Sequence, residues 1–367
     1  MEWSLCWRLL PKELKYLSQP RLQLSALTNS RVRTLAMHAV VLVGGFGTRL
    51  RPLTYSIPKP LLPVAHVAMV ERLMNSLALG GVTDAVLALG FKPEPFYAAF
   101  PNGMCGSVKL TYAVEDTPLD TAGAIGFAAR VAGIDDTFVV ANGDVLTDLD
   151  VASLISFHRN HDGEGTISLT PVDDPSQFGI VETDDSGKVL RFVEKPQPGE
   201  TTSRYASAGT YVFEPSVLKR MPGDAKLSIE RVVFPSMVEE SQLYAMATDD
   251  YWIDAGRPDT YIAANIHVAQ LHDSAVHESA VIANDVQIVD SVIGADVRIA
   301  SGATIQDSVL LPGAVVLSGA RVEGSLVMGT VGSDASIRQC IVGADGSVPT
   351  NLSATDMKFP SEDKTTA

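Results

Sequence analysis

His38-Ala39-Val40-Val41-Leu42-Val43 runs without a break into Gly44-Gly45-Phe46-Gly47-Thr48-Arg49-Leu50-Arg51-Pro52-Leu53-Thr54, and Pro58-Lys59-Pro60-Leu61-Leu62-Pro63 follows. A short apolar run that ends in glycines suits a buried parallel strand feeding a loop. Glycines at that point let backbone N–H groups come close to a phosphate. The loop lacks the Gly-Lys-Ser/Thr of a P-loop. It also lacks the third glycine of the dinucleotide fingerprint, because Leu50 stands where that glycine would fall. Arg49 instead supplies a guanidinium fork matched to phosphate oxygens, and three prolines stiffen the chain around Lys59. Loop, arginine and proline-fenced lysine in this order point to a phosphate-bearing substrate.

Outward from that loop the text alternates. Helical periods fall at 66–79, 124–131, 151–161 and 258–271, and Pro258 suits a first helical turn. Between them, 84–89, 108–114, 137–141, 166–170, 179–182, 189–193 and 205–213 read as strands. Strands alternating with helices predict an α/β domain: a Rossmann-like, mostly parallel sheet with helices on both faces. The composition changes near Ala275. Val276, Ile282, Ile288, Ile293, Ile299, Ile305, Leu311, Leu317 and Val322 recur in steps of mostly six, with small residues after them. A hexapeptide period predicts a parallel β-helix of about four coils, one apolar residue per face pointing inward. The expected layout is a catalytic domain over 37–272, a β-helix over 273–348 and a flexible tail over 349–367.

The chain has 367 residues, with 28 Lys+Arg against 43 Asp+Glu and a net charge of −15. That balance argues against a protein that holds DNA or RNA. No apolar run reaches the roughly 18 residues of a membrane span. Cys6, Cys105 and Cys340 are far apart, which excludes a disulfide scaffold and fits a reducing cytoplasm. Residues 1–36 carry Arg8, Lys12, Lys15, Arg21, Arg31 and Arg33 against Glu2 and Glu13, and show no steady apolar period. They read as a disordered or spuriously translated extension that the fold can do without.

The glycine loop and the Pro58–Pro63 run resemble the signature of the sugar-1-phosphate nucleotidylyltransferases. Asn142-Gly143-Asp144 at a strand end, Phe192-Val193-Glu194-Lys195-Pro196 and Trp252-Ile253-Asp254-Ala255-Gly256 agree with it. The resemblance runs from about Met37 to Gly346. Thr121-Ala122-Gly123, Ser228-Ile229-Glu230-Arg231 and the β-helical tail look most like the bacterial mannose-1-phosphate guanylyltransferase members. The resemblance implies in-line attack of a sugar-1-phosphate oxygen on the α-phosphorus of a nucleoside triphosphate, on a fold that ends in a left-handed β-helix. It implies nucleotide binding by Gly44, Gly45, Gly47, Thr48, Arg49 and Gly123. Arg49, Lys59 and Lys195 would neutralise phosphates, and Gly179, Glu194 and Lys195 would hold the sugar phosphate. Asp144, at the C-terminal end of a strand, and Asp254 would bind Mg²⁺. The expected partners are a nucleoside triphosphate, with GTP first, and a sugar 1-phosphate, with mannose first, in a homo-oligomer. No nucleic acid or membrane is expected. A glucose-1-phosphate thymidylyl- or uridylyltransferase and an inactive regulatory paralogue are the alternatives. Ser207-Ala208-Gly209 departs from the family's Asn-Ala-Gly and opens the sugar identity. Asp120, where a glycine commonly precedes Thr-Ala-Gly, lies close to the expected base pocket. Removal of the β-helix is expected to disturb assembly and stability more than chemistry.

Overall fold

A computed structural model of the chain describes residues 37–90 and 93–361. The segment 1–36, read from the sequence as an extension, lies outside the described residues.

Met37–Leu42 sits near the middle of a ten-stranded sheet. It pairs in parallel with Val82–Leu89 on one side and Phe138–Asn142 on the other, and Val82–Leu89 pairs in parallel with Val108–Val114. Its apolar run is continuous because both faces are covered. Val40 packs with the helix Asp120–Ala132, while Ala39 and Val41 pack with the helices Met69–Leu79 and Val151–Arg159 on the other face. Alternate residues of a strand point to opposite faces, so three consecutive buried positions require two cores. Beyond Phe138–Asn142 the sheet turns antiparallel, through Tyr205–Phe213, Gly179–Thr183 and Val189–Glu194. The fold class is as expected, an α/β sheet of mixed sense.

Two local departures have clear causes. The predicted helix from His66 begins at Met69, because Pro63–Val64 and Val67–Ala68 form a tight hairpin first. Its two turn residues, Ala65 and His66, both have positive φ without being Gly or Asn. Such a turn persists only when its surroundings impose it. Here the Asn265 side chain accepts the Ala65 N–H at 3.0 Å, and Arg72 donates to the Val64 and Ala65 carbonyls at 2.8–3.2 Å. The helix expected from Ala124 begins at Asp120.

After the helix Pro258–His272, the chain winds through three parallel sheets of five strands each. Successive coils are 17, 17 and 15 residues apart at one buried corner. Strict hexapeptides would give a longer coil. One corner per coil is short, with Asp290, Asp307, Gly324, Gln339 and Asp356 at positive φ in successive coils. This shifts the expected register. Leu310 and Val316, not Leu311 and Leu317, point into the coil, and Leu311 joins a different core. The coil also extends beyond Val348. Ser353–Thr355 and Lys358–Phe359 add strands where the sequence reading placed a flexible tail, and Ala354 fills the interior. Coils therefore number five rather than about four.

Candidate active site

The C-terminal ends of the central parallel strands open onto one cleft, whose lining includes Gly45, Gly47, Thr48, Arg49, Lys59, Asp144 and Gly256. Open α/β sheets hold ligands at this edge. Gly47 is left-handed at φ 57, and a Cβ there would meet Thr54 Cγ2 at 2.9 Å and Lys59 Cβ at 3.1 Å. The glycine thus lets the loop close down on the proline-fenced lysine. Lys59 is 5% exposed, and its Nζ lies 2.7 Å from Asp144 Oδ2 and 3.3 Å from Asp254 Oδ1. Arg49 Nη2 stands 3.7 Å from the other oxygen of Asp254, with its side chain 61% exposed to the cleft.

Backbone pairing explains why two distant aspartates meet. Trp252–Asp254 runs antiparallel to Val145–Thr147, with Asp254 opposite Val145, so Asp144 lies next to Asp254 in space. Lys59 and Arg49 together balance the charge of the two carboxylates. Among the described residues no cluster of three or more carboxylates, histidines or thiols forms elsewhere or here. Two oxygen donors converging on one cation suit a divalent ion whose other ligands are phosphates and water. Asp144 and Asp254 thus stand close enough to share one cation, a place that Lys59 Nζ takes in this structure.

Gly256 was quoted only as part of a motif, and its importance emerges from the geometry. A Cβ at that position would stand 2.7 Å from Arg49 Nη2, 2.7 Å from Asp254 Oδ1 and 2.9 Å from Lys59 Nζ. It is the space in which three charged groups meet. Gly143 likewise brings its strand end close, donating its N–H to the Leu42 carbonyl at 2.9 Å.

A second group lies along Gly179–Thr183 and Val189–Glu194. Gly179 is opposite Glu194, and a Cβ on it would meet Phe192 Cζ at 2.4 Å and Glu194 Oε2 at 3.0 Å. Lys195 takes positive φ and donates its N–H to the Phe178 carbonyl at 2.9 Å, which turns its exposed side chain out of the strand. Phe178 makes an edge contact with Trp252 at 5.5 Å, and Trp252 Nε1 donates to the Ala208 carbonyl. The strand that carries Asp254 is thereby tied to the strands that carry Gly179 and Ser207. Ser207 Oγ donates to the buried Tyr211 hydroxyl at 3.4 Å and so stands on the same sheet.

Burial raises the Glu194 carboxyl above the usual range, and the neighbouring Glu230 raises it further. Glu230 was not singled out as a site residue. Thr121 Oγ and Ser228 Oγ both donate to its Oε2, at 2.8 and 2.7 Å, and hold it in place. Its sequence signal was the Ser228-Ile229-Glu230-Arg231 run, which carries no spacing that links it to Glu194. Gly123 stands apart from the glycine loop. Its N–H donates to the Leu227 carbonyl at 3.1 Å, and a Cβ would meet the Ala225 carbonyl oxygen at 2.5 Å. Its place in the structure is close packing of the helix against 225–227.

Known proteins resemble this chain in sequence and fold. The nucleotidyl transferase family profile matches residues 38–270, and the GlmU-like C-terminal hexapeptide profile matches 261–328 and 275–356. The mannose-1-phosphate guanylyltransferase catalytic subunit beta of Dictyostelium discoideum is 39% identical over 229 residues, spanning 62% of this chain and 63% of that protein. The mannose-1-phosphate guanylyltransferase of Mycobacterium tuberculosis is 40% identical over 233 residues, spanning 62% of this chain and 64% of that protein. The alignments thus span somewhat under two thirds of these relatives. The solved structure of HddC from Yersinia pseudotuberculosis superposes with a TM-score of 0.54 at 29% identity, over 63% of this chain and 99% of that one. With the profile covering the whole sheet and every charged residue of the cleft, the chain belongs to the nucleotidyl transferase family.

Proposed function

We propose that this protein transfers a nucleotidyl group from GTP to mannose 1-phosphate, giving GDP-mannose and pyrophosphate. The carrying observation is the convergence of Asp144 and Asp254 on Lys59 Nζ, beside a glycine loop and Arg49. The names of the Dictyostelium and mycobacterial relatives support the choice of substrates. In the reaction a phosphate oxygen of the sugar phosphate forms a bond to the α-phosphorus. The bond from that phosphorus to the α–β bridging oxygen breaks, and pyrophosphate leaves with its electron pair. Such a transfer needs positioning and neutralisation of charge more than covalent chemistry from the protein.

Gly44, Gly45, Gly47 and Thr48 offer the triphosphate a close backbone approach, and Arg49 receives the leaving pyrophosphate. Lys59 neutralises phosphate charge from the cleft floor and keeps the two aspartates together. Asp144 and Asp254 would hold Mg²⁺, which supplies charge neutralisation across the phosphates. Lys195 meets the sugar phosphate as a mobile point charge, and Glu194, with Gly179 making room for it, accepts from sugar hydroxyls. Buried, unpaired Cys105 and Cys340 support a cytoplasmic setting. No helix of the described residues is long and apolar enough to cross a membrane. Exposed Val276, Val281 and Val289 on the first coil support a homo-oligomer.

Pyrophosphate release with Mg²⁺, the four ribonucleoside triphosphates and dTTP, each with mannose or glucose 1-phosphate, tests the reading. GTP with mannose 1-phosphate should be best. Preference for dTTP or UTP with glucose 1-phosphate would replace the substrates and keep the mechanism. No release with any pair would overturn the reaction and favour a regulatory paralogue.

A further inference from the structure

Of the three sheets of the β-helix, one is buried on both faces along its first four strands. In Val292–Ile293, Val309–Leu310, Leu326–Val327 and Ile341–Val342 both residues are buried, whereas the other two sheets leave outward residues such as Val281, Arg298 and Arg338 exposed. Ile293, Leu310, Val327 and Val342 fill the coil. Their neighbours Val292, Val309, Leu326 and Ile341 point the other way, into a core that also holds Leu50, Leu53 and Leu62. Those three leucines are fully buried and lie on the segment that carries Arg49 and Lys59. Two contacts define the seam. Ser56 Oγ donates to Met328 Sδ at 3.8 Å. Gly343 lies so close to the loop that a Cβ on it would meet Pro52 Cγ at 2.9 Å and the Pro52 carbonyl oxygen at 3.2 Å.

We infer that this outward face of the β-helix sets the position of the phosphate-binding segment 48–62, which makes Gly343 and Leu326 positioning residues for Arg49 and Lys59. The inference rests on the nucleotidyl-transfer reading for its kinetic consequence, though not for its structural one. Arg49 reaches into the cleft from a short turn, and its Nη2 stands 3.7 Å from Asp254 Oδ2. What fixes that turn is Leu50 and Leu53 beneath it, and the floor under them is shared with the coil. A side chain held by its supporting shell loses function when that shell shifts by a fraction of an ångström.

The test compares the full-length protein with Gly343→Ala, Leu326→Ala, Leu326→Met and, as a control inside the coil, Ile305→Ala. Each is followed by pyrophosphate release, thermal melting and amide hydrogen exchange across 48–62. Gly343→Ala and Leu326→Ala should lower kcat/KM for the triphosphate about tenfold. The KM for the sugar phosphate should stay put, and exchange in 48–62 should speed up. Leu326→Met should retain both readouts. Ile305→Ala should melt earlier with wild-type kinetics and wild-type exchange in that segment. Unchanged exchange in 48–62 for Gly343→Ala and Leu326→Ala would overturn the inference, as would Ile305→Ala matching them. Because exchange needs no turnover, a wild-type protein silent with every substrate pair would sink the proposed reaction and leave this test able to decide.

Discussion

A single hydrogen atom at Gly256 keeps Arg49, Lys59 and Asp254 together. Gly256→Ala puts a methyl group within 3 Å of all three side-chain ends, which must move apart to admit it. Turnover should fall by at least about 100-fold, since displacement by about an ångström costs that much. The fold should survive, because the groups displaced are side-chain ends that line the cleft; steady-state kinetics beside a melting curve would check both. A second residue-scale outcome concerns pH. On the proposed reading Glu194 holds sugar hydroxyls as a charged acceptor, and protonation removes the charge and turns one oxygen into a donor. Its carboxyl is raised first by burial and then by Glu230, so binding of sugar phosphate is lost as pH falls through that raised value. Glu230→Gln keeps an acceptor for Thr121 and Ser228 but removes the charge. Glu194 then stays ionised to lower pH, and the acid limb of kcat/KM for the sugar phosphate should move down. An acid limb that moves up or stays would show that Glu194 does not govern it.

Within the β-helix, one corner is a ladder of buried hydroxyls. Ser291, Ser308 and Ser325 each donate to the carbonyl two residues back, at 2.6–2.7 Å. Each also accepts the N–H of the residue one coil further on, at 3.0 Å. Cys340 takes the fourth rung and donates its thiol to the Arg338 carbonyl. The ladder is why a corner one residue short can be dry: every backbone group it strands is paired. Ser308→Ala would leave the buried Ser325 N–H without its acceptor, while the Gln306 carbonyl keeps the Gly324 N–H. The expected cost is about 1–3 kcal/mol in chemical denaturation, with kinetics unchanged. Cys340→Ser should be tolerated or stabilising, because a hydroxyl is the better donor.

For the molecule as a whole, the catalytic sheet and the coil are not independent. The core that joins them contains residues of both, including Leu50, Leu62, Tyr261, Val309 and Leu326. Tyr261 donates its hydroxyl to the Pro63 carbonyl, and His66 is in contact with the Ser274 carbonyl and the His277 ring. The sequence reading expected loss of the coil to disturb assembly and stability more than chemistry. With the shared core in view, a chain ending at His272 should expose a broad apolar face, associate without a defined size in light scattering, and lose turnover. A monodisperse, active truncated chain would contradict this.

Much of the fold was legible because it depends on local pattern. Val40–Val43 before glycines marked the central strand, the recurrent Val and Ile marked the coil, and the order of loop, arginine and fenced lysine marked the phosphate end of the sheet. The meeting of Asp144 and Asp254 was expected through the family resemblance, but its cause was not legible, since it is a strand pairing between residues far apart in the chain. Gly256 and Gly123 look alike as letters. One makes room for charge in the cleft and the other for a neighbouring carbonyl, and only packing separates them. The pairs Val292-Ile293, Val309-Leu310, Leu326-Val327 and Ile341-Val342 were visible as apolar doublets. The period placed Ile293 in the coil interior but fell out of register at Leu311, so it could not sort the later pairs. What the outward member of each pair faces was decided by the tertiary structure, because burying a surface requires a partner surface and the partner here is the catalytic loop's own floor.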